Sequence, residues 1–171
     1  MTELRLPEPW LRGTLTDVAA VQRAVLHALE LAKEDLQRWC GSLSDSELNA
    51  RLDGIASVAF HIRHVARSMD RLLSYAEGKQ LDNEQIAALK TELDAGATRS
   101  DLFAELDAAL ERSATRIRRF DMYGLEDARS VGLKRLPTTV GGLLVHVADH
   151  TQRHVGQAIT TAKIVMARRG L

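Results

Sequence analysis

The chain has 171 residues and a mass of 18.9 kDa, enough for one domain with a sizeable core. Its 23 basic and 23 acidic residues cancel to a formal charge of zero, which argues against nucleic acid or an anionic membrane as partner. Cys40 is the single cysteine, which excludes an internal disulfide and fits a reducing cytoplasmic setting with the residue in the core.

Three prolines, few aromatics and abundant Ala, Leu, Glu and Arg favour helices over strands. No apolar run is long enough for a signal peptide or a membrane span. Residues 1–13 read as an irregular arm, with Trp10 and Leu11 expected to anchor it on the body. A first helix is predicted from a cap at Thr14 or Thr16 to about Cys40, with Val18, Val21, Val25, Leu29, Ala32 and Leu36 on one face. His27 falls opposite that face and is expected in solvent. Ser44-Asp45-Ser46-Glu47 is a capping box for a short helical turn.

Ser57 is placed to cap a second long helix ending near Gly78, with a core face of Val58, Ile62, Val65, Met69, Leu72 and Ala76. This helix carries His61 and His64. Residues 79–97 form a long polar connection with a short helical piece around Asn83 to Leu93. Thr98 or Ser100 caps a third helix bearing Leu102, Phe103, Leu106, Leu110, Ile117 and Phe120, with Gly124 after its end. Residues 125–139 are a loop with a small hairpin around Ser130–Leu136. Thr138 or Thr139 caps a fourth helix from about Val140 to Arg168, whose Gly141-Gly142 start suits close packing. Four long amphipathic helices with long connections make an all-α protein, most economically a four-helix bundle of one domain over 1–171.

The fourth helix concentrates the chemistry. His146, His150 and His154 follow one another at four-residue steps and so form a stripe. An i, i+4 pair brings two imidazoles within reach of one metal ion. At 100° per residue, His150 and His154 flank the apolar face and His146 lies nearer the rim. A tight site needs a third ligand. Helical geometry prefers His61 over His64 for that role, by about 65° against about 130° from the apolar centre.

The segments Ser57-Val58-Ala59-Phe60-His61-Ile62-Arg63-His64-Val65-Ala66 and His146-Val147-Ala148-Asp149-His150-Thr151-Gln152-Arg153-His154-Val155-Gly156-Gln157 together resemble the DinB-like (DinB/YfiT) superfamily. The resemblance extends to the order and spacing of helices over most of the chain. It implies a four-helix bundle with up-down-down-up connectivity, often dimeric. It also implies a divalent metal, zinc or nickel, held by three histidines. Carried over position by position, these are His64 from His64-Val65-Ala66, His150, and His154 from His154-Val155-Gly156-Gln157; His61 becomes a neighbour. Val155 stands where many members have Arg.

Three neutral imidazoles leave an open position on the ion, the layout of a catalytic site. A water there has its pKa lowered. The resemblance adds the option of a low-molecular-weight thiol cosubstrate, as in thiol S-transferase members, and so a homodimeric enzyme acting on a small molecule. A non-catalytic metal-binding or stress-response protein, and a bundle whose histidines are merely buried polar groups, are the alternatives. Asp149, Gln157, Ser68 and Asp70 are candidates to support the ligands. Arg63, Arg67, Arg71 and Arg153 are candidates to recognise a substrate carboxylate.

Overall fold

The structure is a computed structural model and describes residues 6–169. Among these, the long helices are α1 (Ala20–Cys40), α3 (Val58–Ala76), α5 (Arg99–Ile117) and α6 (Val140–Ala167). Two short helices, α2 (Asp45–Asn49) and α4 (Asn83–Lys90), lie in the connections. A two-stranded antiparallel hairpin, β1 (Ala128–Val131) and β2 (Leu136–Thr139), precedes α6. None of the described helices is long and apolar enough to cross a membrane.

Each long helix after the first starts where a hydroxyl can serve an orphan backbone N–H. Ser57 accepts from the Phe60 amide, Thr98 from Asp101 and Thr139 from Gly142. The capping box at Ser44 and Glu47 is complete. Gly142 sits where a Cβ would come within 2.9 Å of the Thr138 hydroxyl, and at Gly141 it would meet the Leu125 carbonyl at 3.2 Å. The glycine pair therefore lets the hairpin close tightly onto the helix start, at some cost in helix propensity.

The helices pack in the cyclic order α1, α6, α3, α5, so α1 faces α6 and α5, and α3 faces α6 and α5. Cross-helix bonds give the directions. Gln152 bonds the Ala28 carbonyl and Lys163 lies over the Trp39 ring, so α1 and α6 run parallel. Arg67 bonds Glu105 and Arg116 bonds Glu77, so α3 and α5 run parallel. His61 meets His154 and His64 meets His150, so α3 and α6 run antiparallel. This is the up-down-down-up bundle. The parallel α3 and α5 oblige the segment between them to return along the bundle, and α4 lies in that crossover. The interior is apolar, with Leu36, Leu48, Ile62, Met69, Leu73, Leu106 and Leu144 almost fully buried. Each such side chain contributes about 1.5–3 kcal/mol.

The amino-terminal expectations need correction. α1 begins at Ala20, and Ala19 offers no side-chain cap. The chain before it turns through Leu15 at a left-handed φ of 57°. Thr14 instead sets its hydroxyl 3.1 Å from His27 Nε2. His27 is accordingly buried, at 6 % exposure, rather than in solvent. The arm covers the α1 face that a lone helical wheel leaves open. Its tie is Arg12, bonded to Glu30 and by two nitrogens to Glu34, one turn and two turns beyond His27. Trp10 and Leu11 are more than half exposed, and Pro9 is the buried residue of that segment. Residues 1–5 of the expected arm lie outside the described residues. Cys40 is fully buried in the core, where desolvation pushes its thiol up to about 12.

Candidate metal centre

The antiparallel packing of α3 on α6 brings His64, His150 and His154 together, with one nitrogen from each within 4.8 Å of the others. Ring centroids are 4.3 Å apart for His64 and His154, 4.6 Å for His150 and His154, and 5.0 Å for His64 and His150. His64 Nε2 lies 2.9 Å from His150 Nε2. Phe60 stacks on His64 at 5.3 Å and turns its edge to His61 and His154, closing one side.

The other nitrogen of two of these rings is held from behind. Glu92 Oε2 accepts from His64 Nδ1 at 2.7 Å. A carboxylate only accepts, so His64 carries a proton on Nδ1 and presents Nε2 to His150. His61 Nδ1 lies 3.1 Å from His154 Nδ1, which leaves His154 Nε2 free for the cluster. His61 is thus the more buried of the two α3 histidines, as its place on the wheel implied, yet it stands behind the cluster of three. His146 is at the rim, 3.5 Å from Asp149. Burial, then the neighbouring imidazoles, hold His61, His150 and His154 down at about 4. They are therefore neutral, with lone pairs available, at physiological pH.

Glu92 escaped the sequence reading. It follows α4 in a polar stretch without periodicity, yet it is only 4 % exposed. Burial raises its pKa, but its bonds to His64 and Arg71 outweigh that and hold it below the ordinary carboxylate range. The legible signal was the stripe Arg63, Arg67, Arg71 at four-residue steps. Arg63 bonds the Thr91, Glu92 and Asp94 carbonyls. Arg67 bonds Glu105, the Ala88 carbonyl and Thr91. Arg71 bonds Glu92 Oε1 at 2.6 Å. The stripe straps the crossover to α3 and delivers Glu92.

The other expected supports are engaged elsewhere. Asp149 pairs with Arg153 and His146, Asp70 with Arg116 and Gln85, and Ser68 bonds the Val65 carbonyl. Gln157 lines a cleft of about 540 Å³ together with His61, Arg153 and Thr160. A second cleft, of about 300 Å³, opens on the other side against His64 and His150.

The model of the DinB superfamily matches residues 28–158, which include both histidine segments and the crossover. The chain belongs to the DinB superfamily. Comparison with curated proteins gives no match. Among solved structures, a conserved protein from Enterococcus faecalis is similar at 20 % identity, with a TM-score of 0.68, over 88 % of this chain and 100 % of its own. YfiT from Bacillus subtilis, described as a probable metal-dependent hydrolase with an unusual four-helix bundle topology, is similar at 19 % identity. Its TM-score is 0.64, over 85 % of this chain and 87 % of its own. At these identities the likeness speaks to the fold, and it agrees with the connectivity traced above for this DinB-superfamily chain.

Proposed function

We propose that this DinB-superfamily protein is a metal-dependent enzyme that holds a divalent ion, zinc or nickel, on His64, His150 and His154. The observation that carries the proposal is the convergence of three imidazoles from two helices within 4.8 Å. The donor set fits such an ion: nitrogen ligands suit zinc and nickel, and a carboxylate behind a ligating histidine is the usual support. When bound, the ion supplies a Lewis acid with an open position at which a water or a low-molecular-weight thiol gives up its proton.

The protein's own residues prepare that position. Glu92 and His61 hold the far nitrogens of His64 and His154, so neither ring has to reorient. Phe60 excludes water from one side. The clefts on either side admit small molecules rather than a polymer chain. Hydrolysis of a small substrate is the first reading, supported by the description of YfiT. Transfer to a thiol is the second, favoured by the presence of two clefts, which leaves room for a cosubstrate.

The test is metal analysis of protein purified without a histidine tag. About one equivalent per chain is expected, lost when His64, His150 and His154 are all replaced by Ala. Less than about 0.2 equivalents, unchanged in that variant, overturns the reading. Metal-dependent consumption of an electrophile, with and without a panel of cellular thiols, then separates hydrolysis from transfer.

A further inference from the structure

We infer that the smaller cleft is the substrate subsite and that it takes a small organic acid, with the carboxylate on Arg71 and an apolar body against α4. The inference rests on the metal reading for the reaction, though not for the binding. Four arginines near the triad were candidates for an anion. Arg63 is engaged on backbone carbonyls and Arg67 on Glu105 and the α4 end, while Arg153, bonded once to Asp149, stands in solvent with its side chain 55 % exposed. Arg71 differs. Its guanidinium makes one bond, from one nitrogen to Glu92, while the residue is only 9 % exposed. A guanidinium has five N–H donors. Among the described residues, the sealed polar side-chain atoms without a partner are Arg63 Nε and Thr151 Oγ1. The remaining Arg71 donors are therefore not sealed in the interior.

Arg71 borders two cavities. One, of about 100 Å³, also contains Asp70 and Glu105, whose charges repel an added anion. The other is the 300 Å³ cleft, which no carboxylate lines, although Glu92 already pairs with the Arg71 that borders it. Its far wall is apolar: Leu72, Tyr75, Leu81 and Leu89. His64, His146 and His150 also line it. An acid held by Arg71 thus lays its apolar part on Leu81 and Leu89 and reaches the triad. Leu89 is 46 % exposed and so accessible to such a molecule. Guanidinium and carboxylate match in planar geometry, which selects an acid over its neutral analogues.

The test is titration of the full-length protein, stripped of metal by chelator, with benzoate and hexanoate against benzamide and hexanamide, followed by NMR. Stripping removes direct coordination of the acid by a metal ion. Each acid is expected to bind about tenfold or more tightly than its amide, with shifts at Leu72, Leu81 and Leu89. Arg71→Gln abolishes that preference. Leu89→Glu, a change at a half-exposed position that leaves Glu92 and the triad untouched, weakens the acids by about tenfold and spares the amides. Equal binding of acid and amide, no effect of Leu89→Glu, or shifts confined to the cleft of Gln157 and Thr160 each overturn the assignment. If metal analysis fails but the stripped protein still selects acids, the subsite stands and the enzyme reading falls. If metal binds and acids are not selected, the subsite alone falls.

Discussion

Glu92 does more for the cluster than any residue outside it. It fixes the His64 proton on Nδ1 and is itself held by Arg71. Glu92→Gln keeps the shape and removes the charge. Competition with a chromogenic chelator should show metal affinity lower by roughly 10–100-fold. Imidazole 15N shifts of His64 should move from the Nδ1–H tautomer toward a mixture, which a purely structural loss would not produce. The histidines also set a pH dependence in metal-stripped protein. Burial depresses His61, His150 and His154 from 6.5 to about 4. Above about pH 6.5 folded and unfolded chains are both neutral at these sites. Between about 6.5 and about 4 the unfolded chain takes up protons that the folded chain refuses, so stability falls as pH falls. Urea titrations across that window should show this slope, and replacing His150 and His154 with Gln should flatten it.

At the scale of elements, the crossover is the part of the fold that the site depends on most. Helix propensity contributes little to its docking, since α4 has eight residues and none is buried. What holds it is the arginine stripe of α3. Arg63→Leu would leave the carbonyls of Thr91, Glu92 and Asp94 without that donor. A loss of about 2 kcal/mol is expected in urea unfolding, with faster hydrogen exchange over residues 88–94 than over α1. The same reasoning explains the miss at α1. An isolated wheel assigns His27 to solvent because it omits the arm, and the arm is positioned by Arg12 reaching Glu30 and Glu34.

For the whole molecule, a site made from α3 and α6 and supported by the crossover couples metal binding to the tertiary fold. Unfolding separates His64 from His150 and His154 and destroys the site. At a free ion concentration about 100 times Kd, binding adds about 2.7 kcal/mol. Differential scanning fluorimetry should then show Tm raised by roughly 5–10 °C for a chain of this size, and no rise in the triple-Ala variant.

The long helices were legible because their signals are local. Apolar residues at three- and four-residue steps, and caps at Ser57, Thr98 and Thr139, act within a turn or two of the chain. The His150–His154 pair was legible for the same reason, and the resemblance supplied His64. The choice between His61 and His64 lay beyond periodicity, which leaned to His61, because their roles differ through partners on other elements: Glu92 behind one, His154 beside the other. The sequence by itself determined which segments are helical, which faces are apolar and which residue types could bind an ion. Only the tertiary structure decided that Glu92 stands behind His64, that Arg71 keeps donors to spare and that His27 is covered. Those facts depend on contacts between residues 13 to 28 positions apart, which no local pattern encodes.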